Sequence, residues 1–317
     1  MYSSWKMSDN EIEAVLPEID VLTVFLWPRF LSAERIARMK RLRFLQTVLV
    51  GVNHIPFSTL GPDVVVASNS GAYSVEVGEH AWALLLVAAK RISEFYPRIK
   101  GGAKSLREFS GEAASIVTLE GKTMGIVGYG GIGRAVAVYA RTFGMKRMAF
   151  DVVGTEAKGV KLVTGREGLE SLLCQSDAVL LSLPLTNSTY RLIGKSELSL
   201  MKENAILVNI ARGDLVDQEA LYTCLKARPN FRYATDAWWL KEGQETLETG
   251  HPLVGLPNFV GTPHISGPSA AASGRPWRLA VENVLKYVRG ESVKHVIDRS
   301  EYTKVQSRQS HATNVPD

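Results

Sequence analysis

Short apolar runs and amphipathic segments alternate along the first 95 residues of the chain. An uninterrupted apolar run, as expected of a buried strand, repeatedly gives way to a segment with a helical apolar period. The four segments are IDVLTVFLW (19–27), SAERIARMKRLR (32–43), FLQTVLV (44–50) and VVVAS (64–68). This alternation predicts a small parallel α/β lobe.

A long helix is predicted to follow this lobe. From 73 to 96 the apolar residues recur on one helical side, and Pro97 is expected to end the helix. The next stretch, YPRIKGGAKSLREFSGEA (96–113), is polar, basic and without a sustained period. We therefore expect a connection or an exposed arm there, with the helix bridging two lobes.

A second and larger set of apolar runs begins after this connection. Nearly continuous apolar runs are typical of parallel strands that are covered on both faces. The runs are TMGIV (123–127), RMAF (147–150), VKLV (160–163), DAVLLSL (177–183), AILVNI (205–210), FRYATDA (231–237) and NFVGT (258–262). Helices are predicted at 132–143, stopped by Gly144, and at 218–227, capped by Asp217. A last helix, started or kinked by Pro276, is expected to pack on the first lobe.

Length and composition narrow the class of protein. A chain of 317 residues exceeds the usual size of one domain, in agreement with two lobes. With 45% hydrophobic and 22% charged residues, the composition is that of a globular protein. The longest apolar run, from Ala81 to Ala89, is far shorter than the roughly 20 residues that span a bilayer, and the N-terminus lacks the pattern of a secretory signal. A cytoplasmic protein without a membrane partner is the expectation.

Charge and cysteine usage argue against two further classes. The net charge of +5 comes from lysines and arginines spread along the chain, so a nucleic-acid partner is not predicted. Cys174 and Cys224 lie in helix-like segments without the spacing of a disulfide framework or a zinc site. We expect both to be buried small side chains and predict no metal site.

A glycine cluster follows the strand TMGIV, in the stretch MGIVGYGGIG. Gly128, Gly130 and Gly133 have the G-x-G-x-x-G spacing, and they stand between a predicted strand and a predicted helix, where such glycines cradle a pyrophosphate. Asp151 ends the next strand, about 20 positions on, where a carboxylate binds ribose hydroxyls and favours NAD over NADP. Lys158, close behind, weakens that preference. A glycine turn without a ligand, or another adenosyl ligand, are the alternatives.

Three polar residues stand at the carboxyl ends of later strands. Arg212 closely follows AILVNI, Asp236 ends FRYATD, and His264 follows NFVGT. Ligands of open parallel sheets bind at this edge. A guanidinium, a titratable imidazole and a group to hold the nicotinamide carboxamide would together suit hydride transfer to a keto acid. A surface arginine and a structural histidine are the alternatives, and His80, in the bridging helix, is also interpreted as structural.

These residues and several further motifs resemble the D-isomer-specific 2-hydroxyacid dehydrogenases, a family that includes glycerate, phosphoglycerate, D-lactate and glyoxylate/hydroxypyruvate enzymes. The resemblance covers roughly 20 to 298. It rests on the motifs VGVNHI (50–55), SVEVGEH (74–80), GYGGIG (128–133), SLPLTNSTYRLIG (182–194), NIARGDLVD (209–217), ATD (234–236) and TPHISG (262–267). It implies an α/β fold of two Rossmann-like lobes, in which a doubly wound NAD-binding domain (96–267) is inserted in a smaller flavodoxin-like substrate domain (1–95 and 268–300). Residues 301–317 are expected to be a flexible tail.

The resemblance also implies roles for individual residues. Arg212 would bind the substrate carboxylate and polarise the carbonyl, and His264 would donate the proton. The backbone of Val50, Gly51 and Val52 would hold the carboxylate from the other lobe, with His54 as a second choice for a substrate contact. The expected NAD-binding residues are Gly128, Gly130, Gly131, Ile132, Gly133, Asp151, Pro184, Thr189, Ala211 and Asp236.

The sequence departs from the family at one position. The family places a glutamate five residues after the aspartate matching Asp236, where it hydrogen-bonds the histidine. Here that position is Lys241. Glu242, the next residue, is our candidate for this catalytic acid, and Glu245 is the alternative to it. The remaining alternative is a site without the acid, in which activity would fall or its pH optimum would move downward.

The resemblance implies an NAD-dependent oxidoreductase that acts on a small 2-keto or 2-hydroxy acid such as glyoxylate, hydroxypyruvate or D-glycerate, and that forms a homodimer. The alternative is a non-catalytic NAD-sensing protein on the same scaffold, which the lysine at position 241 motivates. Retention of Arg212 and His264 favours the enzyme.

Overall fold

The computed structural model describes residues 6–25, 32–152, 158–241, 244–247, 250–267 and 274–303. In chain order, its helices and strands are α1 (Asp9–Val15), β1 (Val21–Val24), α2 (Ala33–Arg38), β2 (Phe44–Thr47), β3 (Val65–Ala67), α3 (Ser74–Ala89), α4 (Ile92–Lys100), β4 (Thr123–Val127), α5 (Gly131–Thr142), β5 (Lys146–Phe150), β6 (Lys161–Val163), α6 (Gly165–Gln175), β7 (Ala178–Leu181), α7 (Lys195–Leu200), β8 (Ile206–Asn209), α8 (Gln218–Ala227), β9 (Arg232–Thr235), β10 (Leu240–Lys241), β11 (Gln244–Glu245), β12 (Phe259–Gly261) and α9 (Arg275–Val288). All seven strands predicted for the second lobe are confirmed.

The chain groups into two compact units, 1–73 with 270–317 and 74–269. The sequence predicted that the first domain would run to residue 95 and resume at 268. The first boundary between the units, after residue 73, therefore lies earlier in the chain than predicted. The difference is helix α3, which packs on α5, β8 and β9 and therefore belongs to the second unit.

The second unit is built on a seven-stranded parallel sheet with the order β12-β9-β8-β7-β4-β5-β6. The order runs outward in both directions from β4, so the chain reverses direction across the sheet between β4 and β7. Ligands of doubly wound sheets bind outside the carboxyl ends of the strands at this reversal. The predicted doubly wound sheet is confirmed.

Local signals in the sequence explain several helix ends in this unit. Helix α8 begins where predicted because the Asp217 side chain accepts a hydrogen bond from the Ala220 N–H at 2.9 Å. Helix α5 ends before Gly144, which takes a φ of +70°. Such a backbone is easy for glycine and uncommon for other residues, so glycine suits the end of a helix.

The prediction of a single helix from 73 to 96 is wrong. Helix α3 ends at Ala89, and α4 begins after Arg91, whose φ of 54° breaks the helical path. Pro97 lies inside α4 and does not end the first helix. The stretch 96–113, expected to be a connection or an exposed arm, is exposed along most of its length, and it contains the end of α4 and most of a 3₁₀ helix at Leu106–Ser115.

The first unit contains a three-stranded parallel sheet in the order β1-β2-β3, which confirms the small parallel α/β lobe. Helix α9 packs on β2, as predicted. The buried Asn283 amide on α9 donates to the Gln46 side chain on β2 at 2.6 Å, so a polar bond joins the two elements inside the core. Pro276 lies in the first turn of α9, where the missing N–H costs nothing.

Residues 301–303, the start of the expected tail, include a buried tyrosine. Tyr302 is 5% exposed, and its ring lies 5.4 Å from that of Phe57 in the core of the first unit. The predicted tail therefore does not begin at 301, and residues 304–317 lie outside the described part of the chain.

The cysteines differ from the expectation of buried side chains. Cys174 is exposed and Cys224 is partly exposed. Among the described residues, no helix is both long and apolar enough to cross a membrane.

Candidate functional site

The glycine loop joins β4 to α5 at the point where the sheet order reverses. Gly128 has a φ of +96°, and a Cβ atom there would lie 2.8 Å from the backbone of Ser182. A Cβ on Gly133 would lie 2.3 Å from the Gly128 carbonyl oxygen. Both glycines are therefore required by close packing between the loop, the helix and β7.

Gly130 is different, because its missing side chain faces open space. A Cβ there would meet no heavy atom of the described residues within 4 Å. Gly130 is also the N-cap of α5, so the first turn, with Gly131 and Ile132, offers its N–H groups and the positive end of the helix dipole to the same space. Such a cradle suits a pyrophosphate, so these residues fit a dinucleotide.

Asp151 directly follows β5, beside this loop. Its Oδ2 accepts a hydrogen bond from the Tyr129 N–H at 2.6 Å. The carboxylate is therefore located at the carboxyl edge of the sheet, one strand from the cradle, where a ribose is bound in doubly wound folds. Lys158 is exposed, and residues 153–157 between them lie outside the described residues.

The loop after β7 lies across from the glycines. The Ser182 hydroxyl donates to the Gly128 carbonyl at 2.8 Å, which fastens this loop to the cradle. The Thr189 hydroxyl donates to the Pro184 carbonyl at 2.7 Å and accepts from the Thr186 N–H at 2.7 Å. Thr189 thus shapes the loop on which Pro184 is exposed.

Arg212 follows β8 on a loop that a buried residue braces. Asn209, the last residue of β8, donates from Nδ2 to the Arg212 carbonyl at 2.8 Å and accepts from the Ala211 N–H at 3.1 Å. The Arg212 guanidinium donates to the Ala211 carbonyl at 2.7 Å. Sequence reasoning missed Asn209, although an amide at the end of an apolar strand is a visible signal.

Asp236 follows β9 and is 1% exposed. Its Oδ1 accepts hydrogen bonds from the Thr262 hydroxyl at 2.6 Å and the Ile265 N–H at 3.1 Å, and its Oδ2 accepts from the Ser266 N–H at 2.8 Å. Burial is the largest influence and alone would raise the pKa of Asp236, but these hydrogen bonds together hold it below its usual range. Both carboxylate oxygens thus anchor the turn that carries His264.

The turn after β12 presents His264 to solvent. His264 has a φ of 54°, in the left-handed region that few residues other than glycine adopt, and its ring is 45% exposed. His80 supports the turn from α3, with its Nε2 at 2.9 Å from the Thr262 hydroxyl. This contact agrees with a structural His80.

His264 contacts a carboxylate, and that carboxylate belongs to Glu245. The Nδ1 atom of His264 lies 2.6 Å from Oε2 of Glu245, and Oε1 of Glu245 accepts the Trp238 N–H at 2.5 Å. Lys241, at the family's usual acid position, is exposed. Glu242, our candidate from the sequence, lies outside the described residues.

Strands β10 and β11 explain how Glu245 reaches the histidine. They form an antiparallel hairpin in which Leu240 is opposite Glu245. Trp238 and Trp239, just before it, are each 8% exposed, and their Nε1 atoms donate to the carbonyls of Thr262 and Val216 at 2.8 Å. The hairpin therefore starts from a buried, hydrogen-bonded segment, Trp238 and Trp239, next to the turn that carries His264.

Asp214 is a further residue that sequence reasoning missed. It lies two positions after Arg212, and the Leu240 N–H is one of the groups that influence the pKa of its carboxyl. Burial is the main cause that raises the pKa of Asp214 to about 6, and the charge of Glu245 adds to this. The Leu240 hydrogen bond and Arg191 act in the opposite direction.

The structure thus brings the predicted residues of the second unit to one edge of the sheet. Arg212, Asp236 and His264 follow β8, β9 and β12, which are consecutive neighbours, and the glycine cradle follows β4 on the same edge. Val50, Gly51 and Val52 follow β2 in the first unit, where the Val52 side chain is 2% exposed. No group of three or more potential metal-ligating side chains occurs among the residues that the structure describes.

Comparison with known proteins identifies relatives of the chain. The family model described as "D-isomer specific 2-hydroxyacid dehydrogenase, NAD binding domain" matches residues 82–266. The chain is 31% identical to a hydroxypyruvate reductase of Thermotoga maritima, over 90% of each chain. It is 30% identical to a D-3-phosphoglycerate dehydrogenase of Methanocaldococcus jannaschii, over 92% of this chain and 54% of that one.

Solved structures agree with these matches. A D-lactate dehydrogenase of Aquifex aeolicus, crystallised with NAD and lactic acid, superposes with a TM-score of 0.68 at 27% identity, over 90% of this chain and 87% of that one. The chain spans about half the length, 54%, of the phosphoglycerate dehydrogenases that it matches.

Proposed function

The chain belongs to the D-isomer specific 2-hydroxyacid dehydrogenase family, a family of NAD-dependent oxidoreductases, and from this premise we propose that it reduces a small 2-keto acid with NADH. The proposal extends to glyoxylate and hydroxypyruvate as substrates, because relatives of similar length carry those names. The homodimer stays a prediction.

The observation that carries the proposal is the contact between His264 and Glu245. A histidine paired with a carboxylate at the carboxyl edge of a nucleotide-binding sheet suits acid–base chemistry. The carboxylate holds Nδ1, so Nε2 is the ring nitrogen left to exchange a proton with a ligand. With 45% of the ring exposed, a small molecule can reach it.

Each residue would act through its own chemistry. When bound in the cradle at Gly130, NADH supplies a hydride. The Arg212 guanidinium binds the keto-acid carboxylate through two parallel N–H donors and orients the carbonyl. His264 gives the proton at Nε2 to the carbonyl oxygen, while Glu245 keeps the ring in place and balances its positive charge. Asp236 holds the turn so that His264 keeps this position.

The test is NADH oxidation with glyoxylate and hydroxypyruvate. Loss of a charged, bidentate hydrogen bond costs about 1.5–3 kcal/mol, so Arg212→Lys should lower kcat/KM by about 10- to 150-fold and Arg212→Ala by more. Arg191→Lys is the matched control, because Arg191 is exposed on a neighbouring turn and pairs with Asp217 at 3.0 Å. Unchanged turnover in both Arg212 variants would refute the assigned role.

The Glu245 contact also bears on the alternative of an NAD sensor. The lysine at position 241 motivates that alternative, and a carboxylate delivered to His264 from elsewhere in the chain supports the enzyme. NADH binding without turnover across a panel of keto acids would favour the sensor.

A further inference from the structure

The pair of His264 and Glu245 is assembled from two segments that are distant along the chain. His264 stands on the turn after β12, and Glu245 stands on β11, in a hairpin with two paired positions. A hairpin this short has little stability of its own. Its turn, residues 242–243, lies outside the described residues. The distance between the two side chains therefore depends on contacts that join the hairpin to the His264 turn.

Trp238 makes a contact with each of these two segments. Its backbone N–H donates to Oε1 of Glu245 at 2.5 Å, while His264 contacts Oε2 of the same carboxylate. Its indole Nε1 donates to the Thr262 carbonyl at 2.8 Å. That carbonyl belongs to the His264 turn, because it also accepts the His264 N–H at 3.0 Å. One residue thus binds both sides of the pair.

The indole ring of Trp238 is held by the strand that leads into the turn. Its centroid lies 5.8 Å from that of the Phe259 ring on β12. Gly261, the last residue of β12, leaves room for the indole, since a Cβ there would lie 2.7 Å from Cζ2 and 2.9 Å from Cη2 of Trp238. Trp238 is 8% exposed, and a closely packed ring has few alternative positions. Its N–H therefore acts from a fixed place.

The His264 turn needs several anchors, because His264 has a φ of 54° and such a backbone persists only where its surroundings hold it. The Thr262 hydroxyl donates to Asp236 at 2.6 Å and lies 2.9 Å from Nε2 of His80. These two partners fix the turn to the end of β9 and to α3. The Trp238 indole instead fixes it to the segment that enters the hairpin.

We propose that Trp238 is a positioning residue that sets the distance between Glu245 and His264, with its backbone N–H on the carboxylate and its indole N–H on the turn. The inference rests on the proposed function and names what keeps its acid–base pair aligned. Trp238 touches neither substrate nor cofactor in this account. Misplacing a reacting group by about 1 Å can cost up to about 100-fold in rate, so a lost anchor should be measurable.

The matched variants Trp238→Phe and Trp239→Phe test the indole contact. Both tryptophans are 8% exposed, and both donate from Nε1 to a carbonyl at 2.8 Å, but the acceptor of Trp239 is Val216, on a different loop. Trp238→Phe should lower kcat with glyoxylate about tenfold and change the KM for NADH by less than about twofold, whereas Trp239→Phe should keep kcat within about twofold. Equal losses in the two variants would overturn the inference, because they would report only the loss of a buried indole.

A double-mutant cycle asks whether Trp238 acts through the acid. In the Glu245→Ala background no carboxylate remains to be aligned, so Trp238→Phe should add less than about a twofold loss of kcat. Losses that multiply in full would overturn the inference. Gly261→Ala is the second variant if Trp238→Phe fails to fold. It keeps the indole and displaces it, so it should lower kcat by about threefold or more, and an unchanged kcat would also overturn the inference.

The tautomer of the His264 ring separates this inference from the proposed function, because it can be measured without turnover. Nδ1 faces a carboxylate, so a neutral ring carries its proton on Nδ1. The ¹⁵N chemical shifts of labelled histidine at alkaline pH, assigned with His264→Gln, should show this tautomer in the unmodified chain and in Trp239→Phe. Trp238→Phe should show a mixture of both tautomers.

Each outcome of this measurement decides one of the two proposals. Absence of turnover with every keto acid, together with the expected tautomers, would reject the proposed function and keep Trp238 as the residue that aligns Glu245 with His264. The same tautomer in all three chains would reject this role of Trp238, whatever the turnover.

Discussion

Replacing Asp214 by asparagine should stabilise the folded chain at alkaline pH. Asparagine keeps an oxygen that can accept the Leu240 N–H, and it removes a charge that is costly at this position.

The magnitude follows from the pKa of Asp214, which burial raises from its ordinary 3.8 to about 6. The folded chain binds this proton more tightly than the unfolded chain, so stability falls as the pH rises through this interval. One pKa unit corresponds to about 1.4 kcal/mol. Ionisation of Asp214 therefore lowers the free energy of unfolding by up to about 3 kcal/mol near pH 8 and by about 0.6 kcal/mol near pH 4. The gain from Asp214→Asn should shrink accordingly as the pH is lowered.

Equilibrium urea unfolding at several pH values measures this gain. Tryptophan fluorescence is a suitable signal, because Trp238 and Trp239 are buried at the base of the hairpin. Asp177→Asn is the control, because it should change the free energy of unfolding in the opposite direction. Burial, the largest influence, would raise the pKa of Asp177, but Lys202 at 2.9 Å and the Thr123 N–H at 2.8 Å hold it below its usual range.

The control should therefore lose stability at alkaline pH, and its deficit should shrink as the pH falls and Asp177 takes up a proton. An Asp214→Asn variant whose stability difference is the same at about pH 4 and about pH 8 would refute the reasoning, because a carboxyl with a raised pKa cannot behave in that way.

Two further predictions concern the cofactor. Gly130→Ala should unfold at the same urea concentration as the unmodified chain, because its Cβ meets only the space of the cradle, yet it should bind NADH at least about tenfold more weakly in a fluorescence titration. Gly133→Ala should instead lower the free energy of unfolding by about 1–3 kcal/mol, because its Cβ collides with the Gly128 carbonyl. Equal stability of the two variants would contradict this. Asp151→Ser should raise the ratio of kcat/KM with NADPH to that with NADH by about tenfold or more, since the carboxylate disfavours a 2′-phosphate, and an unchanged ratio would assign cofactor preference to other residues.

Much of the nucleotide-binding unit could be predicted because its signals are local. The strand before Gly128, the helix after it and the aspartate that ends β5 are each set by periodicity and spacing within about 30 residues. A dinucleotide site follows from them, whereas the family was implied by the resemblance of several motifs along the chain; family, fold class and cofactor are confirmed by the comparisons and the sheet order. The prediction of one long helix was wrong because the apolar side of the sequence continues past Arg91, whereas the backbone at Arg91 leaves the helical conformation with a φ of 54°.

The sequence by itself determined the strands, the glycine turn and the edge of the sheet at which Arg212, Asp236 and His264 stand. Only the tertiary structure decided which groups meet there. Glu245 reaches His264 from 19 positions away, and the pKa of Asp214 rises mainly because the folded chain buries it. Hydrogen-bond partners and burial depend on how distant segments pack, and residue spacing along the chain does not contain that information.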